Sequence, residues 1–405
     1  MSATPADGAR PPFEGLRVLD FTRYYAGPFA AWQLALLGAD VIKIEPPGGE
    51  EIRSGSTHPE WGRQGMAPNF VGINSNKRSL TLDLTKPEAV EVVRRLVRDA
   101  DVVVENFRPG VMARFGLGWD ALSALNPRLI YCAVSGFGQT GPERGTAAFD
   151  GKIQAMSGIM SITGAHEHGP MRAGFPICDM IGGMTGAFGL ASALYQRERT
   201  GRGQLVDVAM LDSALNFLAP MVAEATLAGH RSEQMGNLSV TRKATADLFR
   251  CGDGWLMLAV LTERQYTNLM RAIGRADALD DARFADWSTR AEHRDALHAI
   301  IEQALAEGAP KDWEAKLTAA DVPCSTVWHV DEIIGHPAVR HRGFVQTVQT
   351  PMGPMALAGA GFTLSDGTAR ITRGAPRAGE HTDEVLRAAG YAEAEIAALR
   401  RDGVV

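Results

Sequence analysis

The sequence predicts an α/β protein whose main sheet is parallel and covered by helices on both faces, with a second, smaller domain. Three observations carry this. Short, continuous apolar runs alternate with helical patterns through the first half of the chain, as in strands buried on both faces. The 405 residues exceed what one core usually absorbs, so two domains are expected. From about Gly229 the texture changes to amphipathic helical patterns around a single strand-like run.

Leu16–Phe21 (LRVLDF) has a buried strand pattern, Ala30–Leu37 is helical, and Asp40–Glu45 (DVIKIE) is a second strand, with Gly38 as the helix stop between them. Ser79–Leu84 alternates as a strand does. Pro87–Asp99 has helical periodicity with Pro in its first turn. Asp101–Glu105 (DVVVE) and Leu129–Val134 (LIYCAV) are further strands, Met180–Glu198 a long apolar helix, and Gln204–Met210 a strand after the TGRG stop. In the second domain Trp255–Val260 reads as a strand, followed by helical patterns over Thr262–Ile273, Ser288–Ala306 and Lys311–Ala320. Phe344–Gln349 and Met355–Gly359 are short strands, and Thr382–Arg401 is a terminal helix.

Composition excludes several classes. A net charge of −6 argues against a general nucleic-acid binder. Cys132, Cys178, Cys251 and Cys324 form no CxxC pair, which argues against a disulfide framework or a zinc site; no metal is expected. The small, polar opening from Met1 to Pro12 is not a secretory signal, and no apolar run reaches the ~18 residues of a membrane span. A cytoplasmic protein is therefore expected.

Gly136–Gly141 (GFGQTG) matches GxGxxG after a strand, but Pro142-Glu143-Arg144-Gly145 follows instead of a helix that would hold a pyrophosphate. A glycine-rich loop at a strand's C-terminal end is the better reading. Neither GxSxG nor HExxH occurs, and His166 and His168 sit in a Gly/Pro loop as solvated residues. Asp179 stands directly before the long apolar helix. Taken alone it reads as an N-cap, a common role for Asp, and a carboxylate there is also a competent nucleophile.

Eight segments, in order, resemble the class III CoA transferase family, also called CaiB/BaiF. They are LRVLDFTRYYAGP (Leu16–Pro28), GADVIKIEPP (Gly38–Pro47), NSNKRSLTLDL (Asn74–Leu84), DVVVENFRPGVMARFGL (Asp101–Leu117), NPRLIYCAVSGFGQTGP (Asn126–Pro142), FDGKIQAMSGIMSITG (Phe149–Gly164), ICDMIGGMTGAFG (Ile177–Gly189) and RTGRGQLVDVAMLDSAL (Arg199–Leu215). GHPAVRHRGF (Gly335–Phe344) and GEHTDEVL (Gly379–Leu386) extend the match. The resemblance implies a Rossmann-like large domain from residues 1–220 and 335–405, a smaller α/β domain inserted at 221–334, and two identical chains interlocked as a homodimer.

It also implies a CoA transferase in which Asp179 attacks an acyl-CoA, forming an anhydride and then an aspartyl-CoA thioester. CoA is a substrate here, with no permanently bound cofactor, and a small carboxylic acid is the other partner. Gly182 and Gly183 are expected in the first turn of the helix, letting an oxyanion or acyl group approach. The implied CoA-binding set is Tyr24, Tyr25, Ala26, Lys77, Arg78, Asn106, Phe107, Arg108 and Arg114. The Lys and Arg residues suit the phosphates, although Lys77, Arg78 and Arg108 read equally well as solvated charges. Tyr25, Pro46 and Gly236–Ser239 depart from the formyl-CoA branch, which carries Gln, Arg and a glycine run at those places. Racemases of the same fold need a His where this chain has Phe149, and Phe moves no proton. A CoA-binding protein without turnover is the third reading. The identity of the two acids is not legible.

Overall fold

The computed structural model describes residues 10–55 and 57–405. The opening Met1–Ala9, from which the absence of a secretory signal was read, lies outside the described residues.

Six parallel strands form the main sheet: β1 (Arg17–Asp20), β2 (Asp40–Glu45), β3 (Arg78–Thr81), β4 (Val102–Glu105), β5 (Ile130–Ser135) and β6 (Gln204–Ala209). Their order is β3-β2-β1-β4-β5-β6. This is the doubly wound arrangement, and its order reverses between β1 and β4. The continuous apolar runs behave as expected: all four residues of β4 are buried. One covering helix, α1 (Ala26–Leu36), buries every residue except Phe29. On α2 (Pro87–Val97), Ala89, Val92, Val93, Leu96 and Val97 form one buried stripe, with Pro87 at the first position, where its missing N–H costs nothing. That stripe packs with Leu19, Ile42, Leu80 and Val103 of the sheet and with Val385, Leu386 and Ile396 near the C-terminus.

Further along lie α3 (Asp150–Met156), α4 (Ile177–Thr200), α5 (Met210–Phe217) and α6 (Ala219–Ala228). The long helix α4 is apolar enough to cross a membrane by length and composition, which corrects the reading that no such segment exists. Half of its apolar window is buried, as in a core helix. Gly183 and Gly186 let it approach α1: a Cβ on Gly183 would lie 2.5 Å from the Ala26 carbonyl oxygen, and one on Gly186 3.3 Å from Ala30 Cβ. Gly201, with φ 70°, ends the helix.

The chain divides into two compact units. The first runs to Gly158 and adds Ala173–His230 and Pro337–Val405; the second comprises Ile159–Arg172 and Arg231–His336. The second unit has its own antiparallel sheet, β7 (Leu248–Cys251), β8 (Gly254–Leu258) and β9 (Cys324–Thr326). Helices α7 (Glu263–Ala272), α8 (Arg294–Leu305) and α9 (Pro310–Ala319) supply Leu269, Leu297, Ile301 and Leu317 to a core with Phe249 and Leu256. The single helix expected over Ser288–Ala306 is two helices, parted at His293. Back in the first unit, β10 (Val345–Thr350) and β11 (Gly353–Ala358) make a hairpin. The terminal helix expected over Thr382–Arg401 is also two, α10 (Thr382–Ala388) and α11 (Glu393–Arg401), with Gly390 at φ 81° between them.

Candidate active site

Doubly wound sheets bind ligands outside the C-terminal ends of their strands, where the strand order reverses. Here that crevice is bordered by the loop after β1, Phe21–Tyr25, and the loop after β4, Asn106–Arg108. Asn106 ties the two together: its Oδ1 accepts the Arg23 amide and its Nδ2 donates to the Arg23 carbonyl, both at 2.8 Å. The Arg23 guanidinium lies 5.1 Å from the Phe107 ring centre. Asn106 is therefore a clamp on the first loop, with both ends of its amide occupied.

Asp179 sits beside this crevice, but not as a cap. The helix begins earlier, at Ile177, with Pro176 at the cap position and no side chain of its own closing the end. Asp179 is the third residue of α4. The capping role falls to Asp150, the first residue of α3, whose Oδ1 accepts the amides of Cys178 at 2.8 Å and Asp179 at 3.4 Å. Its Oδ2 accepts from Gln154 Nε2 at 2.6 Å, and Gln154 Oε1 accepts the Ala173 amide at 2.9 Å. Burial, with the Asp150 carboxylate next in weight, pushes the Asp179 carboxyl up to about 7. A carboxylate at neutral pH on the first turn of a helix, poorly solvated and facing a like charge, is a strong nucleophile compared with one in water. Tyr25 stands at the start of α1, and its phenol is pushed up by burial and then by Asp179. Tyr24 and Phe149 meet edge to face, ring centres 6.1 Å apart.

Several expected site residues are placed otherwise. Gly182 and Gly183 lie in the second turn of α4, where amides are spent on the helix itself. They serve close packing: a Cβ on Gly182 would lie 3.1 Å from Met210 Cγ, and Gly183 abuts Ala26 and Phe29. Neither is a free oxyanion donor. Lys77 is fully buried, its Nζ donating to Asp20 Oδ2 at 2.8 Å and to the Pro28 carbonyl at 2.9 Å. Arg78 grips Asp40 at 2.9 and 2.5 Å and Glu384 at 2.9 Å. Both cations hold the fold together and are withdrawn from any phosphate. Arg108 and Arg114 are exposed, and no ion pair to either occurs among the described residues. Ala26 is buried at the first position of α1.

Sequence reasoning passed over Asp150, Gln154, Glu50 and Glu105. Glu105 ends β4, accepts the Phe107 amide at 2.8 Å, and is pushed by burial up to about 8. Its signal was visible, since an acid closing the apolar run DVVVE is buried if the strand is. Glu50 accepts the Tyr24 amide at 2.9 Å. Among the described residues no group of His, Cys, Asp and Glu is arranged to hold a metal ion.

Residues 13–382 match CoA-transferase family III. The chain is 34% identical over 401 residues to the succinyl-CoA–D-citramalate CoA-transferase of Chloroflexus aurantiacus, covering 97% of this chain and 98% of that one. It is 35% identical over 389 residues to the succinate–glutarate CoA-transferase of Agrobacterium fabrum, covering 95% and 97%. The crystal structure of a CAIB/BAIF family protein from Brucella suis superposes with a TM-score of 0.86 at 33% identity, covering 94% of this chain and all of that one. The chain belongs to CoA-transferase family III and is an enzyme of the CoA-transferase type.

Proposed function

We propose that this enzyme moves CoA from succinyl-CoA to a second, dicarboxylic acid, with Asp179 as the nucleophile. The observation that carries the reading is the Asp179 carboxyl itself: on the first turn of α4, desolvated and set against Asp150. The names of the relatives support the choice of donor. An Asp179 oxygen attacks the thioester carbonyl, the C–S bond breaks, and CoA leaves as thiolate. The thiolate attacks Asp179 Cγ, the anhydride C–O bond breaks, and succinate departs, leaving aspartyl-CoA. The acceptor carboxylate then runs both steps in reverse. Asp179 is anionic only when free, so each covalent state relieves its repulsion with Asp150.

Tyr24, Tyr25 and Ala26 line the pantetheine in this reading, with Phe107 nearby, and the exposed Arg108 and Arg114 take the phosphates. The Tyr25 hydroxyl faces the acceptor carboxylate. The acting form is a cytoplasmic homodimer. The dimer is supported by exposed apolar side chains: α6 buries none of its residues, Leu227 is 87% exposed, and Phe188 on α4 is 75% exposed.

The test is an intact-mass measurement after mixing with succinyl-CoA and treating with hydroxylamine or borohydride. Modification mapped to Asp179, and absent in Asp179→Asn, is the expected result. An unmodified protein that exchanges an α-proton with deuterated water would overturn it. Tyr25→Phe should alter acceptor kinetics; unchanged kinetics would remove Tyr25 from the acceptor site.

A further inference from the structure

Tyr24 is the only aromatic residue among those described with a positive φ, at 63°. A bulky side chain in that region is an outlier, and such backbone persists where its surroundings over-determine it. The Tyr24 amide donates to Glu50 Oε2 at 2.9 Å. Glu50 is 3% exposed, and its other oxygen pairs with Lys43 Nζ at 2.7 Å. Lys43, fully buried on β2, also donates to the Thr22 carbonyl at 2.8 Å. One buried ion pair thus grips the loop on either side of Arg23, whose own amide and carbonyl are held by Asn106. On its far side Tyr24 packs against Phe149, the neighbour of Asp150, which holds the first amides of α4.

We propose that Glu50 is a positioning residue for CoA transfer: acting through the Tyr24 amide, it sets the left-handed turn that presents Tyr24 to the acyl-CoA beside Asp179. It touches no reacting atom. Its charge matters because Lys43 would otherwise be a buried cation without its acid. The inference rests on the reading of Asp179 given above.

Steady-state kinetics of the full chain, with succinyl-CoA as donor and glutarate as acceptor, test it. Glu50→Gln should raise KM for succinyl-CoA about tenfold while KM for glutarate stays within about twofold. In a Tyr24→Gly background, where glycine adopts the turn unaided, Glu50→Gln should change KM for succinyl-CoA by less than about twofold. Equal fold-changes in the two backgrounds would mean that Glu50 does not act through Tyr24, and the proposal fails. Where Glu50→Gln does not fold, Glu50→Asp carries the test. It keeps the charge facing Lys43 but withdraws from the amide, so KM should rise about threefold with the melting temperature held. An unchanged KM overturns the proposal. Transferase activity surviving in Asp179→Asn would sink the site reading, a result separate from every Glu50 outcome.

Discussion

Around β1 and β2 each buried acid meets a base: Asp20 with Lys77, Glu45 with Arg53, Glu50 with Lys43. At the start of α4 an acid meets another acid. Burial alone would push Asp20 and Glu45 up, yet the cations beside them hold both carboxyls below their ordinary range. Burial acts on Asp179 in the same sense, and Asp150 adds to it, so its carboxyl reaches about 7. Asp20 is fully buried and structural, whereas Asp179 is partly buried and reactive. Beyond that difference in depth, what separates them is the sign of the neighbouring charge.

The contrast is broken most sharply at Asp179. Asp179→Asn keeps the shape and removes the nucleophile, and turnover should fall roughly 10⁴-fold by a thioester-exchange assay. Next in size is Lys77→Met, which strands Asp20 in the core. It should cost about 3–5 kcal/mol in denaturant unfolding, whereas Asp20→Leu with Lys77→Met should recover most of that loss. Turnover surviving in the first, or no recovery in the second, would erase the distinction between the regions.

A smaller effect concerns pH. The folded-state carboxyl of Asp179 lies above its unfolded value, so folding takes up a proton there, and the destabilisation grows as pH rises from about 4 to about 7. Asp179→Asn should therefore melt a few degrees above the wild type at pH 8, with the gain vanishing near pH 4. A gain independent of pH would remove the raised Asp179 carboxyl, whether from burial or from Asp150. The reverse holds for reactivity, since only the anion attacks: adduct formation in the wild type should rise between pH 6 and pH 8. Smallest is the surface effect. Arg108→Ala and Arg114→Ala should each raise KM for acyl-CoA about threefold, less at high salt.

The strand pattern was legible because it is local. DVIKIE in β2 matches residue for residue, and the αβ alternation gives the sheet. The charge pairing was not legible, because it joins distant residues. Lys77 and Arg78 look like two solvated cations until Asp20, Asp40 and Glu384 are brought to them by the sheet and the C-terminal segment. Asp179 looked like a cap because it is the first acidic residue near an apolar helix. The true cap, Asp150, lies 29 residues earlier, and nothing in local spacing announces it. The family segments located the site, yet they carry no geometry, so Asn106, Gly182 and Gly183 were assigned to ligand contacts when their atoms are engaged within the protein.

Gly183 carries one more consequence. Its missing Cβ is the space that the Ala26 carbonyl fills, so any larger residue at 183 forces the first turn of α1 away from the second turn of α4. For redesign of acyl preference this seam is the fixed datum, inherited as a unit or lost as one. Room for a different acid has to be found on the Tyr24–Phe149 side, where both rings are exposed and a change of side chain disturbs no backbone contact at the seam.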